Sequence, residues 1–265
     1  MSRTYQATGI NLKGMAIGEA DRLLTILTAE RGLVRAIAPG ARKFKSKLRG
    51  RSEIFVVNHL LIVEGKNLDK VIQADTIESY PKLSRDLGKL AVGQYLAEVV
   101  LAIALGDQPQ SELYELFLEH LGRIERVSEP RQLLPHLCQA LFHLMAIAGF
   151  APQVHHCLLD RRPILPDPDN PNRTIGFSFH AGGTIDLSAL RDETSLPKID
   201  SKLNPLEVSL LQGLGESALP ATETGVAVEL AWINLDRLLR DYTGYHLGKT
   251  FRSSTLVEGL SPLEF

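Results

Sequence analysis

Five short runs rich in β-branched and aliphatic residues, separated by glycines, occupy the first eighty residues and set the folding problem. Tyr5 to Leu12 alternates loosely, and Leu23 to Thr28 and Leu33 to Ala38 are apolar runs. Ile54 to Val63 is long and rich in β-branched side chains, and Lys70 to Ile77 closes the set. Gly14, Gly18, Gly32, Gly40, Gly50 and Gly65 fall in the gaps, where turns require them. Five strands in so short a segment predict a small barrel, and the five-stranded OB-fold is the obvious candidate.

Around Ser79-Tyr80-Pro81 the period changes. Leu87, Leu90, Ala91, Tyr95, Val99 and Ile103 recur at helical spacing. A second helix is expected from Gln110 to Arg126, with Leu113, Leu116, Phe117, Leu121 and Ile124 inward. A third is expected from Arg131 to Ala148, whose Leu134, Leu137, Leu141, Leu144, Met145 and Ala148 share a face. These three helices are expected to pack together as a second domain. Residues 151–200 differ again: the turn-rich stretch 167–172 precedes Ile175 to His180 and the turn Ala181-Gly182-Gly183, which reads as a small β-excursion. Helical spacing returns from Pro205 to Glu216 and from Thr224 to Tyr242. The reading is therefore an α+β multidomain protein, with an OB-fold over 1–80 and a helical domain over 81–265 carrying a β insertion at about 151–200.

Charge assigns a task to the barrel. Between Glu30 and Glu53 stand Arg31, Arg35, Arg42, Lys43, Lys45, Lys47, Arg49 and Arg51, with no carboxylate among them. Residues 1–80 hold thirteen Lys/Arg against eight Asp/Glu, a net of +5, while the rest of the chain nets −7 to give the overall −2. Segregation of this kind presents one end of a chain to a polyanion, and nucleic acid is the first candidate. The run covers the third strand and the connection to the fourth, where small barrels of this class bind oligonucleotides. Cations one or two residues apart, read as an extended loop, track successive phosphates; Phe44 among them either stacks on a base or is buried under the loop. The competing reading is an ordinary solvated surface, against which stand the number of like charges and the lack of local compensation.

Other classes find less support. No stretch reaches the ~18 apolar residues of a membrane span, and the N-terminus has no signal-peptide core. Two cysteines, Cys138 and Cys157, exclude a disulfide framework and point to a reducing cytoplasm. The tripeptide Asn172-Arg173-Thr174 then carries no glycan. Gly244-Tyr245-His246-Leu247-Gly248-Lys249-Thr250 has three residues between its first glycine and the Gly-Lys-Thr where a phosphate loop needs four, and it ends a helix; it reads as a helix terminus closed by Gly244. Cys157 with His155, His156, Asp160 and His180 falls short of a zinc site, which needs paired Cys/His ligands. No hydrolase, metalloprotease or dinucleotide-binding motif is present, so the chain is read as a binding protein and not an enzyme.

Several segments resemble the RecO family of DNA-repair recombination mediators. They are Gly18-Glu19-Ala20-Asp21-Arg22-Leu23-Leu24, Thr28-Ala29-Glu30-Arg31-Gly32, and Gly40-Ala41-Arg42-Lys43 with Ser46-Lys47-Leu48-Arg49-Gly50. Tyr95-Leu96-Ala97-Glu98, Gly149-Phe150-Ala151-Pro152, Phe177-Ser178 with Gly182-Gly183, and Tyr245-His246-Leu247-Gly248-Lys249 with Arg252-Ser253 continue it in order. The resemblance implies an OB-fold followed by a helical domain. It also implies binding of single- and double-stranded DNA and ATP-independent annealing of complementary strands. The implied partners are the acidic C-terminal tail of the single-stranded DNA-binding protein, RecR and, indirectly, the RecA recombinase, at a cytoplasmic, nucleoid-associated location. Many members carry two Cys-x-x-Cys pairs around a zinc; here the four positions fall on Cys157, Asp160 and near Asp186 and Ala189. The zinc is therefore not carried over, and the insertion, a degenerate zinc ribbon, is expected to be held by packing and turns.

Six phosphate contacts predict a log–log salt slope near about −4 on single strands. Arg237, Arg240, Lys249 and Arg252, partly offset by Asp236 and Asp241, are the candidates for the groove that takes an acidic tail. The alternatives are an OB-fold RNA-binding factor, since RNA and DNA are told apart by geometry, and a helical adaptor whose basic loop meets an acidic protein.

Overall fold

The computed structural model describes residues 3–167, 170, 173–188 and 197–259. Most of the turn-rich stretch 167–172, including Asn172, and the fourth zinc-pattern position, Ala189, lie outside them. All five expected strands form: β1 (Thr4–Ile17), β2 (Asp21–Thr28), β3 (Gly32–Ala38), β4 (Val56–Val63) and β5 (Asp69–Ser79). They close into a barrel in the order β1-β2-β3-β5-β4, with β3 and β5 parallel and the other pairs antiparallel. This is the OB-fold connectivity. Alternation explains it: Leu24, Ile26, Val34, Ala36, Leu60, Ile62 and Val71 point inward and are buried together. A four-residue helix, α1 (Leu48–Arg51), lies between β3 and β4.

The chain forms two compact units, Met1–Arg126 and Val127–Phe265. The composition change at residue 80 marks the end of the barrel, but the first unit continues through α2 (Pro81–Arg85), α3 (Leu87–Ile103) and α4 (Ser111–Arg126). The three helices expected to pack as a second domain are divided between the units, α3 and α4 in the first and the third, over Leu133–Ile147, in the second. Helix α3 buries residues all round its circumference, from Ala91 and Val92 to Leu96 and Val100, as a helix packed on more than one side must. The segment after α3 is tied to the β2–β3 turn: Leu33 N–H donates to the Leu105 carbonyl at 2.9 Å, and Gln110 N–H to the Ala29 carbonyl at 2.9 Å. Gly32 permits this approach, because a Cβ there would stand 2.0 Å from the Leu105 oxygen and its φ is +64°.

In the second unit α5 (Leu133–Ile147) packs on α7 (Val226–Leu247). The β-excursion is present as β6 (Ile175–Ser178) and β7 (Gly183–Asp186), joined by β8 (Ser201–Leu203) in the order β7-β6-β8. Helix α6 (Pro205–Gly213) starts at a reciprocal cap, in which Asn204 accepts from Glu207 N–H and Glu207 accepts from Asn204 N–H. Helix α7 runs through Gly244 and ends at Gly248, in the left-handed region, with Lys249 N–H donating to the Gly244 carbonyl. The closing glycine is therefore Gly248 and not Gly244. A last short helix, α8 (Ser254–Glu258), follows. No helix among the described residues is long and apolar enough to cross a membrane.

Candidate nucleic-acid interface

The connection from β3 to β4 is not an extended loop. Successive turns, with Lys43 N–H donating to Gly40, Ser46 to Lys43 and Arg49 to Ser46, lead into α1. Two apolar anchors force the chain back on itself: Ala41 is buried in the barrel core and Leu48 packs against it. With its middle anchored the segment becomes a compact knob over the barrel end. Gly40, at φ +64°, makes the first turn.

Neutral amides and two charged side chains hold the knob's backbone. Asn11 Nδ2 donates to the Arg51 and Glu53 carbonyls, each at 2.8 Å, and Asn58 Nδ2 to the Arg51 carbonyl at 2.9 Å. Asp21 accepts from Gly40 N–H at 2.7 Å, and Arg22 donates to the Ser52 carbonyl at 2.9 Å while pairing with Glu53 at 2.8 Å. At the exit, Phe55 adopts φ +60° and packs its buried ring over Gly93 of α3. A non-glycine residue in this region costs about 1–3 kcal/mol and persists only where its surroundings fix it.

The eight cations of the run separate into three groups. Arg31 sits in the β2–β3 turn at the other end of the barrel, its guanidinium 3.9 Å from the Tyr5 ring centroid; the strand between places it about 20 Å from the knob. Tyr5 donates to Asp69, and burial followed by that carboxylate pushes its hydroxyl pKa up. Arg35 is exposed on the outer face of β3. Arg42, Lys43, Lys45, Lys47, Arg49 and Arg51 are gathered on the knob. Of these, Arg42 donates to the Gly18 and Glu19 carbonyls of the β1–β2 turn, and Arg51 lies 3.5 Å from Asp75. Among the described residues Arg35, Lys43, Lys45, Lys47 and Arg49 form no ion pair.

Strand register adds cations that the linear sequence did not disclose. On the outer sheet face Lys13 stands opposite Thr25, and Thr25 opposite Arg35. The next row runs Met15, Leu23, Ile37, Lys70. Lys13 and Lys70 thus join Arg35 around an apolar strip that ends at the β1–β2 turn bonded by Arg42. The signal was present only as pairing between residues far apart in sequence. The opposite side of the barrel is different: a cleft of about 490 Å³ there is lined by Thr8, Glu30, His59, Gln73 and Asp75, whose carboxylates repel phosphate.

The C-terminal cations do not converge. Arg240 is buried and pairs with Asp236 at 3.0 Å and Glu258 at 2.9 Å, so it is not available to a ligand. Burial pushes the Asp236 carboxyl above its ordinary value although Arg240 opposes the shift. Arg237 lines the same pocket with Asp236, Arg240, Asp241 and Glu258, which together carry more negative than positive charge. Lys249 and Arg252 are exposed beyond the end of α7, with Lys249 about 18 Å along the chain from Arg237.

The insertion does not suit zinc. Cys157 is buried and its sulfur accepts the Asp186 N–H at 3.4 Å; Asp186 pairs with Arg173 at 3.0 Å, and Asp160 with Arg162 at 3.4 Å. One thiol and two carboxylates already engaged by arginines leave no tetrahedral ligand set, and no group of three metal-ligating residues occurs among the described residues. Among the described residues of this region turns, packing and ion pairs are present.

Comparison with known proteins finds relatives over the whole chain. The family sequence described as Recombination protein O N terminal matches residues 1–80, and that described as Recombination protein O C terminal matches residues 84–255. A protein called DNA repair protein RecO from Gloeothece citriformis is 55% identical over 283 aligned positions, covering 100% of both chains. Proteins of the same name from a Nostoc species (46%, covering 97% of this chain and 96% of the relative) and a Synechocystis species (45%, covering 100% of each) are also similar.

Proposed function

The chain belongs to the recombination protein O family of DNA repair and recombination, and from that premise we propose that it works without catalysis, by holding DNA strands on the barrel's cationic end. The observation that carries this reading is the knob: Lys43, Lys45, Lys47 and Arg49 are cations in no ion pair among the described residues, on a backbone already fixed by Asn11, Asn58 and Arg22. Contacts to phosphate leave bases free to test a complement, and neutralising two polyanions speeds their annealing with no bond made or broken and no ATP. Both single and double strands offer the necessary phosphates. The outer face bearing Lys13, Arg35 and Lys70 extends the path of the strand away from the knob.

In this reading the protein acts in the cytoplasm at the nucleoid. It engages strands coated with single-stranded DNA-binding protein, meets that protein's acidic C-terminal tail, and with RecR helps RecA replace it. Lys249 and Arg252 are the exposed C-terminal cations open to an acidic tail; Arg240 is not. The test is annealing of complementary oligonucleotides coated with single-stranded DNA-binding protein, without ATP, by wild type and by Lys43→Glu/Lys45→Glu/Lys47→Glu. Fast annealing by wild type that is lost in the variant is the expected result. Absence of annealing by wild type, or its retention by the variant, rejects the reading.

A further inference from the structure

Phe44 occupies the second position of the turn closed by Ser46 N–H on the Lys43 carbonyl, at the tip of the knob, and is 84% exposed. A single exposed hydrophobic residue needs no explanation in itself. Here three further facts meet at one ring. Its neighbours in sequence are Arg42, Lys43, Lys45 and Lys47, so any phosphate chain drawn to the knob passes the ring. The Arg49 guanidinium lies over the ring, 5.3 Å from its centroid, within the range at which a cation is held by an aromatic face. The turn that carries it is pinned below by Ala41 in the barrel core, by Leu48 packed against that core and by Arg42 on the β1–β2 turn, so the ring is held out and does not fold in.

We propose that Phe44 is a base-stacking residue: its open face takes one unpaired nucleobase while Arg49 backs the other and the surrounding lysines hold the adjoining phosphates. The inference rests on the knob being the nucleic-acid site and adds what phosphate contacts lack, a preference for strands whose bases are unstacked. In duplex the bases present no free face at the backbone, so the ring adds affinity only for single strands, and without sequence preference, because every base has a π-face.

The experiment compares wild type, Phe44→Ala, Phe44→Leu and Phe44→Trp on two probes of equal length, oligo-dT and an abasic phosphodiester strand, at one fixed salt concentration. Phe44→Ala and Phe44→Leu are expected to weaken oligo-dT binding by about tenfold, the loss of one base–aromatic stack, while Phe44→Trp retains it. All four proteins are expected to bind the abasic strand equally. Emission of Phe44→Trp, corrected with wild type for the buried Trp232, is expected to be quenched by oligo-dT and not by the abasic strand. Phe44→Leu binding oligo-dT like wild type, or Phe44→Ala weakening both probes alike, overturns the stacking role and leaves the knob as a phosphate site. Failure of wild type to bind either probe removes the knob as the site and the stacking role with it.

Discussion

The knob on the barrel and the buried pair in the second unit use arginine and lysine in opposite ways. On the knob the backbone is held by Asn11, Asn58 and Arg22, and the side-chain charges of Lys43, Lys45, Lys47 and Arg49 take no part in holding it. In the second unit Arg240 lies between Asp236 and Glu258, also donates to Ser254, and is almost wholly buried. Charge on the knob is thus free for a ligand, and charge around Arg240 is consumed within the fold. Removing the first kind should alter binding and spare stability, and removing the second should do the reverse.

The largest effect is expected where charge is internal. Asp236→Ala leaves Arg240 buried with its remaining partner Glu258 at the surface, and removing one member of a buried pair costs about 3 kcal/mol or more. Thermal melting should drop while oligonucleotide affinity of the folded protein is unchanged. The double variant Asp236→Leu/Arg240→Met should recover much of the loss, since apolar residues of similar volume replace such pairs well. Equal destabilisation by the double and single variants would show that the pair is not what the second unit depends on.

Next comes the free charge. Lys43→Gln/Lys45→Gln/Lys47→Gln removes three phosphate contacts, each worth about 0.7 in the log–log salt slope on single strands, so the slope should flatten by about 2 and affinity at 0.1 M salt should fall by about 100-fold. The melting temperature should stay put. A matching loss of stability would break the comparison, because it would mean these lysines support the knob as well as serving a ligand. A smaller, mixed effect is expected from Asn11→Ala, which strips the Arg51 and Glu53 carbonyls of a donor: stability should fall by about 1–2 kcal/mol, and affinity should weaken several-fold because the cations lose their fixed platform. Melting curves and salt titrations read both.

The same contrast explains what the sequence disclosed. Barrel strands were legible because the side-chain period is local and Gly18, Gly32, Gly40 and Gly65 mark the gaps. The helical spacing from Pro205 onward located α6 in the same local way, whereas its reciprocal Asn204–Glu207 cap came from the structure alone. The cationic run was legible as a total but not as a shape. Whether Arg31 and Lys43 share a surface depends on which end of β3 each occupies, and whether Lys13 meets Arg35 depends on two strand registers. One partner of Arg240, Glu258, comes from α8, a five-residue helix with too few positions to show a period. The missed strand β8 has three residues, and its partner Ile175 lies far back in the chain. The stripes of α3 to α5 hold in the main, except that Leu87 at the start of α3 is exposed, yet a stripe does not say what it packs against, which is why two of these helices belong with the barrel unit and one with α7.

The finest discrimination concerns the insertion, where ion pairs of internal type sit near solvent. Burial raises the Asp186 carboxyl, but donation from Ser188 and the Arg173 guanidinium outweighs it and holds the pKa below the ordinary 3.8. A depressed carboxylate contributes stability that is present above the unfolded value and lost as pH falls through the folded one. The stability gap between wild type and Asp186→Asn should therefore be full at neutral pH and close below about pH 3.8. Solvent around this pair keeps the gap to a few tenths of a kcal/mol. Arg173→Met should shrink the gap at neutral pH, because the Ser188 donors alone then hold the carboxylate. A gap that persists unchanged in acid would assign the contribution to the geometry of the Asp186 side chain and not to its charge. That outcome would move the insertion out of the class to which Arg240 belongs, leaving packing around Cys157 and the turns to hold it.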